Sequence, residues 1–229
     1  MSHLHFPDGF LPLWLWLGGL VIAGVILAII LYRLSKRQAT KDIALVGALE
    51  ALMIVGMSFE IIPLGYHINL AIPVGIFLGP ALGFLTAFVT NLFLALVGHG
   101  GITVVGLNTL LLGFETAMGW FFFKKIFVMK NIFARTFISS MLALVLSTTA
   151  AVTIIWFTAT SHLAQQISQD AGILRLEIGS EAASEESGQG QPNLALIYTL
   201  SGIGWIIEST IGATLISYIA KVKPGSIRI

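Results

Sequence analysis

Residues 68–97 read INLAIPVGIFLGPALGFLTAFVTNLFLALV, and the Gly79-Pro80 pair within them decides how the chain is threaded. The run is apolar enough to pass for one long span. Proline, however, removes a helix hydrogen bond and crowds the preceding turn, and Pro73 already interrupts the first part. The stretch is therefore expected to divide into a short helix of about 12 residues over 68–79 and a second over 81–97. The two would form a tight hairpin or broken pair, with irregular backbone inside the protein. Outward from that point, further apolar runs fall at 11–33, 43–62, 102–123, 133–158 and 194–220. With the split, the reading is an all-α polytopic membrane protein of about seven transmembrane helices.

Charge placement supports the split. Arg33, Lys36, Arg37 and Lys41 follow the first run, Lys124, Lys125, Lys130 and Arg135 separate the fifth from the sixth, and Lys221, Lys223 and Arg228 close the chain. Seven alternating spans put all of these on one face and leave only Arg175 on the other, so the positive-inside rule predicts the N terminus outside and the C terminus inside. A six-span reading would scatter the clusters. The composition agrees, since the 229 residues are 56% hydrophobic and 10% charged with mean hydropathy +0.93. No sizeable soluble domain fits this budget, and residues 1–229 read as one integral membrane domain in a cytoplasmic (inner) membrane. A net charge of +1 offers no field for nucleic acid, and the absence of cysteine excludes disulfides and thiolate metal sites. Residues 1–10 carry neither a basic n-region nor a small-residue cleavage motif, so the first run is expected to be a true span. The largest polar piece is an external loop at 160–193, with Asp170, Glu177, Glu181, Glu185, Glu186 and a Ser-Gly-Gln-Gly-Gln-Pro stretch, read as a tether or a lid.

This threading puts His3, His5, His67, His99 and His162 on or beyond the outer ends of the helices. Neutral imidazole suits Ni, Co, Cu and Zn, whereas Ca and Mg call for several oxygens, so a borderline divalent ion is favoured. A free amine, a deprotonated amide and a nearby imidazole at Met1-Ser2-His3-Leu4-His5 can also close chelate rings. Phe6-Pro7-Asp8-Gly9 is a turn signature that would fold the first residues back over helix 1. His67 follows Gly65-Tyr66, and His99 stands between glycines that permit positive φ. Each also has a plain structural reading, as an interfacial hydrogen-bonding residue or a turn.

Glu50, Glu115 and Glu208 are the intramembrane carboxylates. Glu50 and Glu115 are expected roughly 12 Å inside from the cytoplasmic ends and far from the histidines. With no Lys or Arg in the spans, they read either as coupling groups or as carboxyls that hold helices together. Small residues at four-residue spacing, Gly19/Ala23, Gly24/Ala28, Ala44/Ala48 and Gly47/Ala51, permit close helix approach, either within the protein or to another membrane subunit. There is no phosphate-cradling loop, zinc-protease motif or nucleophile elbow, so no enzymatic activity is expected and uphill transport would need an ion gradient or a partner ATPase.

His5-Phe6-Pro7-Asp8-Gly9-Phe10-Leu11-Pro12 resembles the His-Ile-Pro-Asp-Gly-Phe-Leu stretch near the N terminus of the CbiM/NikM family. Gly65-Tyr66-His67 with Leu78-Gly79-Pro80, and Gly98-His99-Gly100-Gly101-Ile102-Thr103 with Gly106 and Asn108, are similar to that family's next two signature segments, in order. The resemblance covers about residues 5–125 well. It implies the substrate-binding S component of an energy-coupling factor (ECF) transporter for cobalt or nickel, with no resident cofactor. Implied partners are a T-type membrane subunit, a pair of ATPases and a small accessory membrane subunit.

The family's ligands are the terminal amine, the following amide nitrogen, the imidazole beside the terminus and a second imidazole after helix 2. His5 and His67 match the two imidazoles, and His3 is the rival for the first. The family His is usually second in the chain, so three accounts stand open: trimming to Leu4-His5, Met1 removal leaving Ser2-His3, or another translation start. His99 stands where the family commonly has Asp, and would add a nitrogen or cap the loop. Asp8 and Asn108 are expected to orient the N-terminal turn and the loop by hydrogen bonds, and Ala44 and Ala48 to dock the partner. The competing expectation is a proton-coupled secondary carrier of a small organic solute using Glu50 and Glu115; a membrane scaffold without substrate is a third.

Overall fold

The computed structural model describes residues 6, 8–9, 11–36, 40–58, 60–61, 66–127, 129–160 and 194–223. These form helices α1 (Leu13–Ser35), α2 (Thr40–Ser58), α3 (Ala71–Leu96), α4 (Val105–Phe121), α5 (Ile132–Thr160) and α6 (Leu194–Val222). A two-residue antiparallel ladder pairs β1 (Glu60–Ile61) with β2 (Tyr66–His67), and a π-helical turn, Phe122–Ile126, follows α4. Four helices, α1, α3, α5 and α6, are long and apolar enough to cross a membrane. The outward residues of α1, among them Leu17, Val21, Val25 and Ile29, are exposed, as a lipid-facing surface requires. His3, His5, His162, the loop at 161–193 and the side chain of Ala44 lie outside the described residues.

The continuity of α3 ends at Gly79, whose backbone (φ 79°, ψ 173°) is open to glycine but not to helix, with Pro80 directly behind it. The chain reverses there. A Cβ on Gly83 would lie 3.5 Å from the Cα of Gly75, whereas eight residues of unbroken helix would separate them by about 12 Å. His67 before α3 and His99 after it also have ring centres 5.9 Å apart, although a straight helix of this length would hold its ends about 39 Å apart.

The bundle consequently has two distinct ends. Phe6 and Leu11 pack with Leu15 and Trp16 of α1, Val104 and Leu107 at the start of α4, and Ala151 and Ile154 of α5, so the histidine end gathers the starts of α1 and α4 and the late part of α5. The Tyr198 hydroxyl lies 3.1 Å from that of Thr149 and Trp205 Nε1 donates to Thr148 at 3.1 Å, while a Cβ on Gly212 would lie 3.9 Å from the Ser140 hydroxyl, so α6 runs antiparallel to α5. Lys36, the π-helical turn with Lys124 and Lys125, and Lys221 therefore share the opposite, basic end.

Glycines set the closest crossings. A Cβ on Gly75 would clash with the Thr116 carbonyl oxygen, so α3 and α4 meet backbone to backbone. Gly19 and Gly106 do the same between α1 and α4, while Gly24 meets nothing within 4 Å. Of the small-residue pairs in the first helix, Gly19/Ala23 is thus internal packing and Gly24/Ala28 faces outward.

Three expectations are corrected. The second helix stops at Ser58 rather than 62, because residues 60–61 leave it to pair with 66–67. The first arm of α3 starts at Ala71 rather than 68, because Asn69 and Leu70 are held out of helix by the contacts described below. The helical core also holds a cation: Arg135 is in the first turn of α5, buried, with Nε donating to the Phe123 carbonyl at 2.7 Å and its guanidinium 4.2 Å from the Phe123 ring centre. That carbonyl belongs to the π-helical turn, where the regular ladder leaves acceptors over.

Candidate metal centre

The N-terminal turn is fixed by backbone and side-chain bonds rather than by hydrophobic burial alone. Asn108, in the first turn of α4, accepts the Phe6 amide on Oδ1 at 3.0 Å and donates from Nδ2 to the Phe6 carbonyl at 3.2 Å. Gly101 donates its amide to the same carbonyl at 3.3 Å. Two residues on, Asp8 accepts the amides of Ile102 (3.0 Å) and Thr103 (2.8 Å) and the Thr103 hydroxyl (2.5 Å). These donors precede α4, so a carboxylate from a distant part of the chain completes the start of that helix. The Thr103 hydroxyl first, and then the two amides, hold the Asp8 carboxyl below the usual carboxylate range against the opposing effect of burial. A Cβ on Gly101 would fall 2.5 Å from the Asp8 amide nitrogen, so only glycine admits this seat. The turn thus lies over the start of α4 and against α5, and not over helix 1 alone.

The loop bonded to Phe6 carries His99. Gly98 and Gly100 on either side adopt φ of 85° and 101°, and the His99 amide donates to the Leu94 carbonyl at 2.8 Å. His99 is exposed, and its ring stands edge-to-face (85°) against half-buried His67. His67 itself is set by the ladder on one side and by the Ile68 amide, which donates to the Gly56 carbonyl at 3.2 Å, on the other. A Cβ on Gly56 would clash with the Ile68 carbonyl at 2.8 Å, so α2 and this segment touch through backbone. Two imidazoles thus come together with the seated N-terminal turn one short loop away. Among the described residues no three His, Asp or Glu side chains form a group able to hold a metal ion.

Below the imidazoles lies a polar cluster that sequence reasoning missed. The Asn69 amide donates to Glu208 Oε1 at 3.0 Å, Asn69 Nδ2 donates to Glu115 Oε1 at 2.5 Å, and the Ala71 amide donates to Asn69 Oδ1 at 2.8 Å. All three side chains are nearly inaccessible, at 4% for Asn69, 1% for Glu115 and 5% for Glu208. The expectation that Glu115 lies far from the histidines is therefore wrong: it bonds a residue two positions from His67. The reason is the non-helical strand 68–70, which carries backbone donors into the interior, where each one left unsatisfied costs several kcal/mol. Two carboxyls and an amide side chain supply the acceptors. Glu50 is half-buried on α2, whereas Glu115 and Glu208 meet at Asn69.

Ala48 is exposed on α2, with Gly47 and Ala51 beside it. The runs that named the other residues were legible as motifs; the Asn69 cluster was not, because its partners lie 46 and 139 residues away.

Comparison with known proteins bears on the family and the fold. A profile of the family described as cobalt uptake substrate-specific transmembrane region, CbiM, matches residues 5–226. Two solved structures have the same fold. A transition metal transporter is 17% identical over 96% of this chain and 93% of its own, with a TM-score of 0.72. A truncated transition metal transporter is 16% identical over 96% and 99%, also at 0.72. No curated protein matches the sequence. Matched over nearly its whole length, the chain belongs to the family of cobalt-uptake substrate-specific transmembrane regions.

Proposed function

We propose that this membrane protein is the S component of an ECF-type uptake system for Co(II) or Ni(II), capturing the ion at its histidine end. The observation that carries the proposal is the seat of the N-terminal turn. Asn108, Gly101 and Asp8 anchor Phe6 and the residues after it beside the loop whose His99 meets His67. The residue before Phe6 is His5, one peptide bond from an amide already fixed, so the imidazoles of His5 and His67 are the chosen ligands, with His3 as the rival for the first. Asn108 and Asp8 position the turn, and preorganised nitrogen donors favour borderline divalent ions.

In this reading the two arms of α3 count separately, giving seven segments across the inner membrane with the N terminus outside. The histidine end faces outward and the basic end the cytoplasm, in keeping with the positive-inside rule. The transported ion is substrate, not cofactor. A T-type membrane subunit and paired ATPases, with a small accessory membrane subunit, supply energy for release, and the Ala44/Ala48 side of α2, on which Ala48 is exposed, is the docking face. The carboxylate-coupled carrier is the weaker reading, since Glu115 and Glu208 are engaged by the unwound backbone beside Asn69.

Accumulation of Co and Ni in cells tests the whole assignment. Uptake should require coexpressed partner ATPases with an intact phosphate-binding lysine and persist when the proton gradient is collapsed while ATP is maintained. Uptake by this chain alone that stops with the proton gradient would overturn the assignment and favour the carrier.

A further inference from the structure

We propose that His99 is itself a ligand of the captured ion, sharing it with His67, rather than only a cap for its loop. The inference rests on the metal-capture reading above and adds a donor to it. With metal–nitrogen bonds of about 2.0–2.1 Å, two imidazoles on one ion have ring centres about 4.5 Å apart at a right angle, about 5 Å at the tetrahedral angle and about 6.4 Å when opposed. The 5.9 Å between His67 and His99 falls inside that span, so the two rings already stand at a separation that imidazoles sharing one ion can have.

The loop is built to hold the ring there. His99 lies between two residues at positive φ, Gly98 and Gly100, and its amide is tied to Leu94. The same loop is then pinned by the bond from Gly101 to Phe6 and by Asp8 on Ile102 and Thr103. Turning the chain would need none of this aim, because the glycines alone provide the turn; fixing the loop at three points limits where the imidazole of residue 99 can go. The half-buried position of His67 and the exposed one of His99 suit an ion arriving from solvent and held between an outer and an inner ring. Two imidazoles select Co, Ni, Cu or Zn over Ca and Mg.

The test uses the full chain in detergent, with Co(II) as the probe, read by equilibrium binding and by visible d–d absorption, in wild type, His99→Ala and His67→Ala. Thermal transitions check folding, which an exposed loop substitution should leave intact. Loss of a bonded donor should weaken Co(II) binding about 10-fold or more in His99→Ala, since even residues behind the ligands typically cost 10–100-fold. The d–d bands should also shift, and free imidazole should restore them. Wild-type affinity and spectrum in His99→Ala overturn the inference, as does weakened binding with an unchanged spectrum and no rescue by imidazole, which marks a loop-positioning role. If His67→Ala still loses the metal, the capture reading survives that failure; if His67→Ala also binds like wild type, the capture reading falls with it.

Discussion

Replacing Asn108 by alanine tests whether seating of the N-terminal turn controls metal capture. The side chain makes two buried bonds to Phe6, at 3.0 and 3.2 Å, and alanine makes neither; the Phe6 carbonyl keeps the Gly101 amide. At about 0.5–1.5 kcal/mol net for each bond, the seat loses roughly 1–3 kcal/mol. At 1.4 kcal/mol per decade, that is about 5- to 150-fold in the seating equilibrium. Because the ion is bound only by seated chains, apparent metal affinity should fall by up to the same factor, and by less where the seat has stability in reserve. Hydrogen exchange of the Phe6 and Gly101 amides reads the seat, and calorimetric titration with Ni(II) reads the affinity. Exchange at the wild-type rate would refute the assigned bonds. Exchange fast enough to show the seat mostly open, with unchanged affinity, would refute the coupling between seat and site.

The remaining predictions concern packing, charge and docking. Gly75→Ala forces a Cβ toward the Thr116 carbonyl oxygen across two backbones, and should cost about 3 kcal/mol, the upper end for overpacking; Gly24→Ala, with open space, should be neutral or stabilising in thermal unfolding. Asp8 has a lowered carboxyl pKa in the folded protein, so its contribution is fully present above the unfolded value of about 3.9 and is lost as pH falls through the lower folded value. The stability gap between wild type and Asp8→Asn should thus be flat from about pH 5 to 8 and shrink in stronger acid, and a gap that widens on acidification would contradict it. Ala48→Leu, on an exposed position, should leave melting and metal binding unchanged but prevent copurification with the T-type subunit; intact complexes would remove α2 as the docking face.

What the sequence reveals is what neighbours along the chain determine. Gly79-Pro80 marks the break in α3 because both residues act on their own backbone and need no partner. Apolar length marks the helices for the same reason. The ends of elements are harder to read, since Ser58 ends α2 only because residues 60–61 find partners at 66–67. Contacts set by the threading of the bundle cannot be read locally. Nothing in the segment around Asn69 announces that its amide will meet Glu208 and its side chain Glu115, although a polar residue opening a Pro-broken membrane helix signals that some acceptor must be nearby. Arg135 is the same kind of case: grouped by sequence with a cytoplasmic basic cluster, it is buried because the π-helical turn offers it the Phe123 carbonyl. The approach of His99 to His67 depends on the reversal at Gly79, so the break that decides the threading also assembles the imidazole pair.

The central claim, that the histidine end captures one transition-metal ion through His67, is tested most directly by elemental mass spectrometry with intact-mass measurement. The sample is detergent-purified protein with an untagged N terminus, exposed to Co and Ni beside its His67→Ala variant. The account predicts about one metal per chain in the wild type and none in the variant, with the intact mass identifying the residue that begins the ligand set. A folded wild-type protein without stoichiometric metal, or a variant loaded as fully as the wild type, would contradict it.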